Sequence, residues 1–267
     1  MITLLVEPAT FDHSSVRVEG EPYQHLFRAR RVAVGEEMRI VDGRGRARWG
    51  KVERVDRTTA TVALGEPAPD HEPAFRLELL VPTCRPERAS WLVEKATELG
   101  VIAIRFTNMA RAPRELGTMT FDRLRRVAVA AVEQCHRSRL PEITGPHAWS
   151  QAVGLAGPEV RWFLDTESTD DPELSVGAAL RGRPGELSVE AALRGRPGEQ
   201  GAHIGAPLHD AKSGALLVGP EGGLDPAERR ELQLAGWRPA GLGDRTLRLE
   251  TAAIVGAAFL VLGAHGS

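Results

Sequence analysis

Two loops near the carboxyl end of the chain carry residue types suited to holding a small molecule. Gly219-Pro220-Glu221-Gly222-Gly223 leaves the apolar run Ala215–Val218, so the backbone must turn sharply where no Cβ would obstruct a ligand. The second loop, Leu242-Gly243-Asp244-Arg245-Thr246-Leu247-Arg248-Leu249-Glu250-Thr251-Ala252, leaves another short strand and brings an arginine and a carboxylate to the mouth of an apolar helix, Ala252–Leu262. Loops at the carboxyl ends of neighbouring strands are where α/β folds hold ligands, because backbone donors and acceptors collect there. The pair is a pocket candidate; the alternative is that GPEGG is only a tight strand-to-helix turn. Neither loop has the G-x-x-x-x-G-K-[ST] or G-x-G-x-x-G spacing of the phosphate-cradling motifs.

The elements that must position these loops follow from periodicity. Ile2–Val6, Met38–Val41, Ala47–Val55 and Thr59–Leu64 read as strands joined by Gly/Asp turns, a small β domain over residues 1–70. Gly65–Pro73, rich in proline and charge, is the expected linker. Beyond it, over residues 75–267, strand and helix alternate: Leu77–Val81, helix Pro86–Leu99 closed by Gly100, strand Val101–Phe106, helix Phe121–Arg137 with Thr120 as N-cap, and strand Val160–Leu164. Alternation of this kind implies a mostly parallel sheet covered on both faces. After the first glycine loop, Asp225 is placed as an N-cap, with Pro226 at the first helical position and Glu228 closing a capping box.

Composition narrows the class. The chain has 267 residues, enough for two domains, and a net charge of −2. That average hides a distribution: His25–Arg57 holds ten Lys/Arg against five Asp/Glu, and Arg76–Leu140 twelve against seven. Nearly all these cations are arginine, which forks onto phosphates and stacks on bases better than lysine does, although GC-rich coding explains part of the excess. No apolar stretch is long enough to span a membrane and no signal peptide is expected. Cys84 and Cys135 lack metal-ligand spacing, and none of the eight histidines forms H-E-x-x-H, so reduced thiols in a cytoplasmic protein without a metal are expected.

The GPEGG-L turn with its capped helix, followed by LGDRTLRLETA, resembles the signature of the SPOUT, or α/β-knot, RNA methyltransferases, and specifically the bacterial 16S rRNA uridine-N3 methyltransferases. Arg88–Val101 (RASWLVEKATELGV) and Glu133–Pro141 (EQCHRSRLP) resemble the same family in order and spacing, and His25-Leu26-Phe27-Arg28 with Gly35-Glu36-Glu37 resembles its amino-terminal domain. Two positions depart from the pattern: Arg28-Ala29-Arg30-Arg31 stands where an apolar-Leu-Arg run is commoner, and Cys84-Arg85 where a lysine is expected. The resemblance implies a trefoil-knotted, mostly parallel sheet with a small PUA-like β-barrel before it, a homodimer, and S-adenosylmethionine as cofactor. It assigns cofactor contacts to Leu217, Gly219 and Gly222 in the first loop and to Leu242, Gly243, Leu247 and Leu249 in the second.

The implied chemistry is methylation of uracil N3 in 16S rRNA of the small ribosomal subunit. N3 is protonated at neutral pH, so its proton must leave and the resulting charge must be stabilised on the flanking carbonyl oxygens. Arg248 is the candidate for that stabilisation, with an ion pair to Glu250 or Glu221 as its alternative. Glu250 is the candidate base; the alternative is a carboxylate placed in a first helical turn for the macrodipole. Arg28 and Arg31 are candidates for RNA backbone contact. Arg137, with Glu133 near it, either reaches the substrate or lies on a solvated helix face. The rivals to this reading are another nucleotide ligand in the same crevice, methylation of a different base or atom, and a catalytically silent RNA-binding protein.

Glu173–Gly185 is repeated almost unchanged at Glu186–Gly198, differing only at Gly177 and Glu190. One adjacent copy is too few for a solenoid, so a tandem duplication in a surface loop over about Glu167–Lys212 is expected.

Overall fold

The computed structural model describes residues 1–112, 119–164, 211–242 and 245–263. They fall into two compact units, Met1–Glu72 with Arg126–Pro141, and Pro73–Arg125 with Glu142–Ser267. The tandem repeat lies outside the described residues.

In the first unit, β1 (Thr3–Leu5), β2 (Ser15–Glu19), β3 (Glu37–Val41), β4 (Ala47–Val55) and β5 (Thr59–Pro67) form a sheet ordered β1-β3-β4-β5-β2. Only the β1–β3 pair is parallel. The side-chain period of two is visible in β2, where Val16 and Val18 are buried and Arg17 and Glu19 are exposed. The same alternation puts Val52, Ala60 and Val62 inside. Helix α1 (Gly20–Tyr23) widens into a π turn through Ala29 and stacks Tyr23 on Phe27, ring centroids 5.5 Å apart. Val132, from the later half of α3 (Met119–Cys135), joins Val41 and Ala47 in a smaller cluster.

The second unit is a six-stranded sheet ordered β11-β9-β10-β6-β7-β8, parallel at every pairing. Its strands are β6 (Arg76–Pro82), β7 (Ala103–Thr107), β8 (Glu142–His147), β9 (Val160–Leu164), β10 (Ser213–Val218) and β11 (Arg238–Ala240). Helix α2 (Pro86–Leu99) begins with proline and ends at Gly100, whose φ of +97° is the left-handed C-cap that glycine adopts without cost. Helices α4 (Trp149–Val153) and α5 (Pro226–Leu234) cover the face of Leu80, Phe163, Ala215 and Leu217. Helix α6 (Leu249–Gly263) packs on α2, β6 and β10 across the other face. Gly256 lets α6 lie close, because a Cβ there would sit 2.8 Å from Leu216 Cδ2.

The expected α/β class with a parallel sheet is observed, and several local expectations are corrected. Helix α3 starts at Met119, so Thr120 lies inside the helix and is not its N-cap. Helix α6 starts at Leu249, three residues before the predicted Ala252. Strand β7 is Ala103–Thr107 where Val101–Phe106 was predicted, and β5 continues to Pro67, into the predicted linker. Strands β2 and β8 were not predicted. Strand β8 contains Gly145-Pro146, a pair that reads as a turn; the structure accommodates it on an edge strand, at a register shift against β7 between Thr144 and His147.

Candidate active site

Because all six strands of the second unit run the same way, the loops after β6, β7, β9, β10 and β11 emerge along one edge. The first glycine loop is fixed there by its own backbone: Gly219 N–H donates to Leu164 O at 3.0 Å and Gly223 N–H to Pro220 O at 2.9 Å. Its glycines serve different ends. Gly223 sits at φ +70°, a conformation other residues adopt at a cost. A Cβ on Gly219 would come within 3.2 Å of Leu164 O and 3.3 Å of Leu224, so that glycine is required by packing inside the protein. A Cβ on Gly222 would meet nothing closer than Arg111 Cδ at 3.7 Å, and its backbone is the approachable part of the loop.

The helix after this loop starts as the sequence predicted. Asp225 Oδ1 accepts from Ala227 N–H at 3.0 Å, Glu228 Oε2 accepts from Asp225 N–H at 3.0 Å, and Pro226 opens α5. Glu228 also reaches a loop from another strand, its Oε1 accepting from Ala110 N–H at 2.7 Å. Arg111, beside Ala110, donates to Gly222 O at 2.8 Å. The segment after β7 is thus fastened once to the glycine loop and once to the helix that follows it.

Arg88, on α2, joins the first loop to the second. Its guanidinium bonds Glu221 of the glycine loop, and its Nε lies 3.9 Å from Glu250 in the first turn of α6. Arg88 and Glu221 are 39% and 42% exposed, whereas Glu250 is 14% exposed, with Oε2 buried and without a hydrogen-bond partner among the described residues. Cys84, just after β6, is buried beside this group. Desolvation first, then the charges of Glu250 and Glu221, push its thiol up to about 12, against the opposing pull of Arg88. It stays a thiol at neutral pH and is no nucleophile there.

Arg248 takes the N-cap position of α6, its carbonyl accepting from Ala252 N–H at 2.9 Å. Its side chain is exposed. The two carboxylates that could have paired with it, Glu221 and Glu250, go to Arg88, and no ion pair of Arg248 occurs among the described residues. A cation at a helix N-terminus works against the macrodipole, so this placement is not one that helix stability would select.

The other site candidates are placed as follows. Leu217 is fully buried within β10, its side chain in the core, with paired strands on both sides. Leu249 is buried, Leu242 and Leu247 are half-buried in the second loop, and Gly243 lies outside the described residues. In the first unit Arg28 is exposed, donating to Arg57 O at 2.9 Å, and Arg31 is exposed in a left-handed conformation with φ +58°. Arg137 is neither solvated nor free. It is 3% exposed and forks onto Glu72, Nη2 to Oε2 2.6 Å, while the N–H groups of Ser138 and Arg139 donate to Oε1 of the same carboxylate at 2.9 and 2.8 Å. Glu133 is half-buried, accepting from Leu5 N–H at 3.1 Å, and burial pushes its carboxyl up. Arg88, Arg111 and Glu228 were not singled out as site residues. Arg88 lies within the RASWLVEKATELGV motif, but its two partners are more than a hundred positions away in sequence. Among the described residues no group of His, Cys, Asp and Glu could hold a metal ion, and no helix is long and apolar enough to cross a membrane.

A parallel sheet with glycine-bearing strand-end loops tied together by charged side chains defines a small-molecule site of the α/β type. The model of the RNA methyltransferase domain family matches residues 71–261, and the chain belongs to that family, as the resemblance to the SPOUT RNA methyltransferases implied. It is similar to the ribosomal RNA small subunit methyltransferase E of Mycobacterium bovis, 29% identical over 246 residues covering 89% of this chain and 82% of that protein. The protein of the same name from Synechocystis is 23% identical over 253 residues, 94% of this chain and 74% of its own length. The fold is shared with the crystal structure of a ribosomal RNA small subunit methyltransferase E from Neisseria gonorrhoeae bound to S-adenosyl methionine, with a TM-score of 0.76 at 20% identity over 97% of this chain and 95% of that one.

Proposed function

We propose that this chain transfers a methyl group from S-adenosylmethionine to N3 of a uridine in 16S rRNA of the small ribosomal subunit, in the cytoplasm. The observation that carries this reading is Arg248: an exposed arginine at a helix N-terminus with no ion pair among the described residues, while Arg88 engages Glu221 and Glu250. The residues fit the cofactor. Glu250 Oε2 is a buried carboxylate oxygen available to a cationic ligand, Gly222 offers open backbone, and Leu242 and Leu247 offer half-buried apolar surface.

When bound, S-adenosylmethionine supplies an electrophilic methyl on a cationic sulfur. Glu250 would take the proton from uracil N3, and Arg248 would stabilise the negative charge that its loss leaves on the flanking carbonyl oxygens, so that N3 is the nucleophile toward that methyl. Arg88 holds Glu250 and Glu221 in register, and Cys84, kept as a thiol, forms no covalent adduct with the base. Arg28 and Arg31 serve RNA phosphates from the first unit, which we read as PUA-like, and the sheet of the second unit as knotted.

The same reading includes a homodimer. Ile254, Val255, Phe259 and Leu260 on α6 are only half-buried, Leu262 is exposed, and Trp91 is exposed on α2, which packs beside α6. Sedimentation showing a fully active monomer at micromolar concentration would remove that part. The main test is mass-spectrometric mapping of 16S rRNA from a deletion strain. The reading expects loss of one 3-methyluridine, restored by the wild-type gene, and fails if another base or no base changes.

A further inference from the structure

One face of the sheet in the second unit carries a polar patch that the strand-end loops do not use. Alternation along β7 puts Arg105 and Thr107 on the face of Leu80, whose register partner is Arg105, while Ile104 and Phe106 point to the opposite, apolar face. Next to Thr107 in register stands His147, the last residue of β8. These residues, with Gln151, Ala152 and Leu155 from α4 and the turn after it, line a cavity of about 240 Å3.

The cavity is rich in hydrogen-bonding groups, and its one cation is outnumbered by the carboxylates beside it. Arg105 is balanced by two carboxylates, Nε donating to Glu78 Oε2 at 2.8 Å and Nη2 lying 3.6 Å from Glu142. His147 Nε2 is engaged with Thr144 Oγ1 at 2.9 Å, and Gln151 Oε1 accepts from Ala148 N–H at 3.0 Å, which leaves the amide NH2 of Gln151 as a donor. Thr107 is fully buried, and its Oγ1 has no hydrogen-bond partner among the described residues. A buried hydroxyl that can both donate and accept is costly to leave unpaired, so a polar occupant accounts for it better than the fold does. Leu80, Ala152 and Leu155 supply the apolar wall that a flat ring needs. The volume falls below the roughly 300–1,000 Å3 of pockets for drug-sized ligands, which suits a single ring system.

We propose that this cavity receives one unstacked base of the RNA, read by Thr107 Oγ1 and the Gln151 amide and packed against Leu80 and Ala152. This rests on the reading that the chain acts on RNA, whose sequence-specific recognition relies on splayed bases held by hydrogen bonds and flat packing. The occupant is a second base, held apart from the glycine loop and Arg248. Anions are disfavoured by the carboxylates beside Arg105, and a cation by Arg105 itself, which already engages them, so a neutral ring with donors and acceptors fits best.

The test uses the full chain and small ribosomal subunits from a deletion strain. Thr107→Val keeps shape and removes the hydroxyl, and Ala152→Leu fills the cavity. Each should raise the KM for subunits about fivefold to tenfold, the loss of one hydrogen bond or of seating for one ring. Affinity for S-adenosylmethionine by calorimetry should be unchanged, and Thr107→Val should melt no lower than wild type because it removes an unpaired buried hydroxyl. Subunits carrying 4-thiouridine should cross-link to the peptide His147–Leu155. Unchanged KM in Thr107→Val, or cross-links confined to other peptides, overturns the proposal. Should wild type bind no S-adenosylmethionine, the reading of the active site fails, while cross-linking still decides the cavity.

Discussion

Arginine does opposite work in the two units. In the first, two arginines are buried in the fold while Arg28 and Arg31 stay on the surface: Arg137 is buried on Glu72, and Arg39 is fully buried in β3 with its guanidinium on Pro69 O. Burial lowers the Arg39 pKa, with Asp70 and Glu72 pulling the other way. In the second unit the arginines of the strand-end edge are at least partly exposed, and what they fasten is loops: Arg88 ties Glu221 and Glu250, Arg111 ties Gly222, and Arg248 has no ion pair among the described residues. An arginine count along the chain therefore says little about nucleic acid. Which arginines have partners decides which are available.

The largest expected effect lies in the first unit. Arg137→Ala leaves Glu72 buried without its counter-charge, which costs about 3–5 kcal/mol and should lower the melting temperature by roughly 10 °C. Thermal unfolding checks this, and a shift under 2 °C would show Arg137 to be an available cation after all. Arg88→Ala should do the reverse. Its pairs are partly solvated, worth at most about 1 kcal/mol, so the melting temperature should hardly move. Affinity for S-adenosylmethionine should nevertheless fall about tenfold, because the two loops lose their common anchor. Calorimetry beside a thermal scan separates the two outcomes.

A smaller effect concerns pH. Burial raises the Glu133 pKa in the folded state above its unfolded value, despite the Leu5 N–H bond and the charges of His25 and Arg30. The folded chain then binds the proton more tightly. This contribution to stability is fully present below the unfolded carboxylate pKa, about 4.3, and is lost as pH rises through the raised folded value. Glu133→Gln retains an acceptor for Leu5 N–H and should be the more stable protein in urea at pH 7, with the advantage disappearing near pH 4. An advantage that persists unchanged at pH 4 would refute the assignment.

Local signals were legible in the sequence wherever one segment contained its own cause. Asp225, Pro226 and Glu228 specify the start of α5 by themselves, and Pro86 with Gly100 bounds α2, so both were readable. Arg88 was not, because its partners Glu221 and Glu250 come from loops that only the parallel sheet brings to one edge. Gly219 was read as leaving space for a ligand, but the space its missing side chain leaves is taken by Leu164 O and Leu224. Arg137 sits in a run with the look of surface charge, and its burial depends on Glu72, sixty-five positions earlier. Strand β8 was hidden by its Gly-Pro pair, which an edge position and a register shift against β7 make admissible.

In the function proposed above, Arg88 holds the strand-end loops while Arg248 acts on the reacting base. Single-turnover methylation of small subunits by Arg248→Ala, with calorimetry of S-adenosylmethionine on the same sample, tests it most directly. The account predicts near wild-type cofactor affinity and an unchanged melting temperature with a rate reduced on the order of a hundredfold or more, and little rescue by Arg248→Lys. Loss of cofactor affinity together with early melting would contradict it, making Arg248 a structural residue of the second loop.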